Sequence, residues 1–218
     1  MDAQSRDEKI TGAAALLVVL FMLPGIGVAA LYPQPPLAEP TSLVAYLAAH
    51  RTALLASSYL AALGWSGVLC VFAGGLWAML SRAEGGSGVW SIVAFGACIA
   101  TAFAIGVALT FWGVVIFRAP QIDASLASVL CDAAAFANLM TAFPNAVYTM
   151  AAAIVIRRTS VLPQWVGHGA LAVAAVHLGS AACVARVGLL GPWGVLPSLA
   201  PLAHTAWLAA IAWVLLRR

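Results

Sequence analysis

The chain reads as an all-α, polytopic membrane protein: a bundle of six transmembrane helices with a short interfacial helix in the first outer loop. Three observations predict this. Of its 218 residues 64% are hydrophobic and 8% charged, whereas soluble domains run at about 45–50% apolar and about 25% charged. Its apolar runs are about 20 residues or longer, enough to cross a bilayer as helices. They show no strict alternation, and hydrocarbon admits only helices or closed barrels, so helices are favoured.

The expected spans are Ile10–Tyr32, Ala53–Leu80, Val89–Phe117, Ser128–Ile156, Val166–Val187 and Leu202–Leu216, the last beginning nearer Ser198. The connections PQPPLAEP, SRAEGGSG, RAPQID, RRTSVLPQW and RVGLLGPWGVLP are rich in turn residues. Residues 1–9 form an N-terminal tail, and residues 10–218 a single transmembrane domain. The tail MDAQSRDEK mixes acidic and basic residues before a long apolar stretch. That pattern reads as a retained first span rather than a cleaved signal.

In the first outer loop, Thr41 or Ser42 is placed to cap a short helix. Leu43, Tyr46 and Leu47 are expected on the membrane surface. The last outer loop, GLLGPWGVLPSLAP, is apolar yet too irregular to face lipid, so it is expected to fold back over the helix ends or form a lid. Trp90, Trp165 and Trp193 fall at expected interfaces, where indoles anchor. Gly67, Cys70, Gly74 and Ala78 in span two, and Ala102, Gly106, Thr110 and Gly113 in span three, form small-residue stripes that allow close crossing.

The ten Lys and Arg residues set the orientation. Arg6, Lys9, Arg82, Arg157, Arg158, Arg217 and Arg218 fall on one side, and Arg51, Arg118 and Arg186 on the other. Both termini are therefore expected in the cytoplasm, in a plasma membrane.

Several chemistries find no support. Cys70, Cys98, Cys131 and Cys183 lie in or beside apolar runs without CxxC spacing, as small core residues do. The sequence holds no phosphate-binding Gly-rich loop, no HExxH motif and no basic nucleic-acid patch. The expected partners are the bilayer and a lipophilic small molecule, with no nucleic acid, cofactor or metal.

Asp132 is the most informative residue. It lies within a span-length apolar run, where an ionised acid costs roughly 2.5–3.5 kcal/mol at a helix centre and less toward the interface. At about 100° per residue, Asp132, Phe136, Leu139, Phe143 and Met150 share one arc. Asn138, Thr141, Asn145 and Tyr148 share the opposite one. An acid on an apolar, aromatic face suits proton donation, and the simpler reading is an interfacial acid meeting headgroup water or Arg118. Pro144 removes a backbone donor and predicts a kink. Asn138 and Asn145 read as polar helix–helix contacts, or as cavity-lining groups on a bent helix.

His177 falls near the middle of span five and His204 near the start of span six. Haem ligation is disfavoured, because the two sit at different depths. His177 reads as a packing residue or as a base in a cavity. Aromatics such as Trp65 and Trp112 pack against lipid or neighbours, and a subset facing one cavity would attract cationic species.

The segments LVAYLAAHRTALLASSYLAALGWSGVLCVFAGGLWAMLSR and GSGVWSIVAFGACIATAFAIGVALTF, with LPQW before span five, resemble small six-span proteins common in actinobacteria. More loosely, the size, span count and single intramembrane acid resemble the bacterial membrane-bound terpene cyclases that act on prenylated natural products. That resemblance implies metal-independent cyclisation of an isoprenoid. Asp132 would be the acid, Phe136 and Phe143 would steady the cation, and His177 or Tyr148 would take the final proton. Phe136, Phe143, Asn138, Asn145, Trp65 and Trp112 would contact the substrate. A transporter and a non-enzymatic structural or regulatory subunit are the competing readings.

Overall fold

The computed structural model describes residues 3–32, 40–184 and 195–218. Among these the chain is helical, with no strands. The helices are α1 (Ala3–Leu31), α2 (Pro40–Ala49), α3 (Arg51–Ala62), α4 (Leu69–Glu84), α5 (Val89–Arg118), α6 (Ala124–Met140), α7 (Ala142–Thr159), α8 (Gln164–Ala181) and α9 (Val195–Leu216). A π-helical turn, Leu63–Val68, joins α3 to α4 without a break.

Five helical stretches are long and apolar enough to cross a membrane: Ser5–Val28, Arg51–Glu84, Val89–Arg118, Ala124–Thr159 and Pro197–Leu216. The expected fifth span is α8, whose 18 residues include Gln164, His168 and His177. These polar groups make it less apolar than the others.

The expected fourth span is two helices. Its ladder is interrupted at Thr141, between α6 and α7. Pro144 supplies the reason. It has no N–H to offer the Met140 carbonyl, and its ring crowds that same group. Thr141 stitches the break, its hydroxyl donating to the Asn138 carbonyl at 2.6 Å.

Two apolar clusters hold the bundle. The larger joins α1, the π turn, α4, α5, α7, α8 and α9 around Phe72, Leu76, Tyr148, Ile156, Leu208 and Ile211. The smaller sits at the opposite end from the chain termini, where Leu43 and Leu47 of α2 meet Leu54, Val115, Ile116 and Cys131. This corrects the expectation for the first outer loop. Leu43 and Leu47 are fully buried in the protein rather than laid on the membrane, and the Tyr46 hydroxyl donates to the Tyr32 carbonyl at 2.7 Å.

The basic ends of four helices meet. Arg82 pairs with Asp7 at 3.1 Å and Arg218 with Glu8 at 3.5 Å. Arg218 also donates to the Val161 carbonyl at 2.9 Å. At this end the Glu84 carboxylate accepts from the Trp90 and Ser91 amides at 3.0 and 2.8 Å. It thus caps α5, whose N-cap residue Gly88 has no side chain to do so. Trp90 and Trp165 are exposed at this same end, as interfacial anchors would be. Trp193 lies outside the described residues.

The small-residue stripes are used in part. A Cβ on Gly74 or Gly113 would meet nothing within 4 Å, whereas one on Gly106 would come within 3.2 Å of the Ser66 hydroxyl. The π turn and α5 are also joined there by a polar contact, the Ser66 hydroxyl donating to the Ala102 carbonyl at 3.0 Å. Tighter approaches are made against α1. A Cβ on Gly64 would come within 2.8 Å of Phe21 Cβ, and one on Gly75 would collide with the Thr11 hydroxyl.

Candidate functional site

Breaking the ladder at Thr141 and inserting the π turn at Leu63–Val68 both act on one place. Between them the bundle forms a partly open cavity of about 360 Å³, at the lower end of the ~300–1,000 Å³ range of small-molecule sites. π turns recur at functional sites because the extra residue re-aims side chains. Here the turn points Trp65 inward, 5% exposed, with its indole N–H on the Met22 sulfur.

The wall is mostly apolar, with indoles from Trp65 and Trp112. Its polar groups are Asn138, Thr141, Asn145, His177, Ser180 and Ser198. No Asp, Glu, Lys or Arg lines it among the described residues. With 1.5 Å rise per residue, His177 stands about 20 Å along α8 from its Gln164 end. The cavity therefore lies in the half of the bundle away from the termini.

Two hydroxyls on the wall are engaged by their own helices. Thr141 donates to the Asn138 carbonyl and Ser180 to the His177 carbonyl at 2.8 Å. Asn145 differs. It is 2% exposed, and its Oδ1 has no hydrogen-bond partner among the described residues.

Behind the wall runs a buried hydrogen-bonded chain. His177 Nε2 meets His204 Nδ1 at 3.1 Å, and His204 Nε2 meets the Tyr148 hydroxyl. Trp65 packs edge-on against His204, ring centroids 5.0 Å apart. Trp207 stands 6.0 Å from it, held by its N–H donating to the Val166 carbonyl at 3.0 Å.

The order of protons follows from partner counting. Tyr148 has no other acceptor among the described residues, so its hydroxyl donates to His204 Nε2. His204 then carries its hydrogen on Nδ1 and donates to His177 Nε2. His177 is left with its hydrogen on Nδ1. The chain thus ends, on the cavity wall, in an imidazole whose second nitrogen is not used by the relay.

The sequence-predicted residues divide in two. Trp65, Trp112, Asn138, Asn145 and His177 reach the cavity, and Tyr148 supports it from behind. Asp132 does not line it and is exposed on α6. Phe136 and Phe143, 48% and 49% exposed, also point away from the core. The face expected to open on a cavity is the outer face of the bundle, and the polar stripe opposite Asp132 is the inner one. The GPWG segment expected to cap the cavity lies outside the described residues.

His204 is the residue whose role the sequence concealed. Counted from an expected span start near Ser198 or Leu202, it seemed too close to the outer end to reach His177. Helix α9 begins at Val195, which sets His204 nine residues in and level with His177. Asp123, in the loop before α6, is an N-cap, accepting from the Ser125 and Leu126 amides at 2.9 and 3.1 Å.

Comparison with protein-family models, curated proteins and solved structures gives no match.

Proposed function

We propose that this chain is a plasma-membrane protein that binds a lipophilic small molecule in the cavity and exchanges a proton with it at His177. In this reading α8 is the fifth of six spans, both termini are cytoplasmic, and α2 lies across the outer end. One observation carries the proposal: an imidazole on the wall of a largely apolar cavity, backed by His204 and Tyr148.

Such a chain suits isomerisation, including cyclisation of an isoprenoid or prenylated compound. A proton passes from His177 to a substrate oxygen, such as that of an epoxide, as its C–O bond opens, while protons shift from His204 to His177 and from Tyr148 to His204. The return steps reset the chain when the product gives its proton back. No net proton enters or leaves, which suits a site remote from water. Trp65 and Trp112 offer ring faces to positive charge developing on the substrate. Asp132 takes no part, because it is exposed on α6 and does not line this cavity.

The test uses the purified protein in nanodiscs with the terminal epoxide of a farnesylated phenol as substrate. Chromatography with mass spectrometry should show a cyclised isomer of the epoxide. His177→Gln should abolish it, and Asp132→Asn should not. No product would remove the enzymatic reading, and full activity in His177→Gln would remove the role of the imidazole.

A further inference from the structure

We infer that the molecule held in the cavity is neutral, with a hydroxyl or carbonyl head that docks on the Asn145 carboxamide beside His177. This rests on the cavity being a site for a lipophile, as proposed above, and adds what the head group is and which residue recognises it.

Three observations converge. The first is the state of Asn145. Buried amide oxygens are nearly always hydrogen-bonded, and one that is not calls for an explanation. Asn145 lines the cavity, and its carboxamide oxygen is buried with no hydrogen-bond partner among the described residues. Its neighbours Thr141 and Ser180 are satisfied by their own helices. A ligand group able to donate or accept beside it would complete the carboxamide. The second is charge. The described wall carries no cationic side chain, so a phosphate or carboxylate head would be stripped of water with no ion to pair with. The third is acid strength. A neutral imidazole N–H is a far weaker acid than a carboxylic acid. It therefore hydrogen-bonds to and polarises an oxygen rather than protonating a bare alkene. Asn145 and His177 together describe the polar pole of the cavity, and the indoles of Trp65 and Trp112 its apolar remainder.

The experiment is equilibrium binding of tritiated farnesol to the protein in detergent micelles, with unlabelled farnesol, farnesyl phosphate and farnesene as competitors. These share a chain and differ in the head: neutral hydroxyl, anion and none. Farnesol should compete best, and the other two at least about 10-fold more weakly, the size of one lost buried hydrogen bond. Asn145→Leu should weaken farnesol about 10-fold and leave farnesene unchanged. The ranking on the unaltered protein decides the matter even where that variant fails to fold. Farnesyl phosphate matching farnesol would overturn the neutral head. Farnesene matching farnesol would overturn the polar anchor while leaving the apolar cavity reading intact. Ala135→Trp fills the cavity and should abolish binding, and farnesol bound as well by that variant would overturn the cavity reading itself.

Discussion

His177 of α8 and His204 of α9 share a hydrogen bond of 3.1 Å inside the bundle. Each ring therefore fixes the tautomer of the other, and Tyr148 fixes both. A buried polar network of this kind is unfavourable when half-satisfied and rigid when complete. It ties three helices, α7, α8 and α9, at the depth of the cavity.

Removing the middle of this chain should be costly. His204→Phe leaves the Tyr148 hydroxyl and the His177 Nε2 buried without partners, a loss of about 1–3 kcal/mol. Thermal unfolding in detergent measures it. The double variant Tyr148→Phe/His204→Phe should lose less than the sum of the two single changes, by at least about 0.5 kcal/mol. Strict additivity would mean that the two side chains are not coupled.

Asp132→Asn should leave both stability and turnover at the level of the unaltered protein. The side chain is exposed on α6 and is not among the residues lining the cavity, and exposed substitutions usually stay within about 0.5 kcal/mol. Loss of product in this variant, with the fold intact, would restore the acid to the chemistry.

Gly75 and Gly74 are adjacent and should respond oppositely. A side chain at Gly75 collides with Thr11 of α1, so Gly75→Val should destabilise by roughly 1–3 kcal/mol through overpacking. Gly74→Leu projects into open space and should be tolerated within about 0.5 kcal/mol. Yield and melting temperature in detergent distinguish them.

Reporter fusions after residue 85 and at the C-terminus should both read cytoplasmic. The Asp7–Arg82 and Glu8–Arg218 pairs bring the start of α1 and the ends of α4 and α9 to one side. The Asp7–Arg82 pair itself is nearly half exposed, so Asp7→Asn should cost under about 1 kcal/mol and leave topology unchanged. Opposite readings from the two fusions would break the arrangement.

How far the sequence reveals these features depends on how local their causes are. The break at Pro144 was legible because a missing N–H acts within one turn. The helix class was legible because composition leaves few alternatives in lipid. The inner face of α6 and α7 was not. Both arcs of that helix look plausible when lipid and core are equally apolar, and the aromatic arc with the acid drew attention away from Asn138, Asn145 and Tyr148. The pairing of His177 with His204 depended on where α9 begins, and one turn of error in a Gly/Pro-rich approach hid it. The burial of Leu43 and Leu47 was hidden because an apolar face docks on protein and on membrane by the same pattern.

The π turn at Leu63–Val68 works as a shift in reading frame within one long helix. Before it Leu54 and Ser57 are buried, and after it Leu69, Phe72, Ala73, Leu76, Met79 and Leu80. Counted straight through at about 100° per residue, the centres of these two sets lie roughly 70° apart. Skipping one residue in the turn narrows this to roughly 30°. That one surplus residue lets a single 34-residue stretch keep a continuous inner face while still turning Trp65 into the cavity. Deletion of Gly67 would therefore do what no substitution there can. It would swing α3 by about 100° against α4, carrying Leu54 away from the outer-end cluster and withdrawing the indole from the site together.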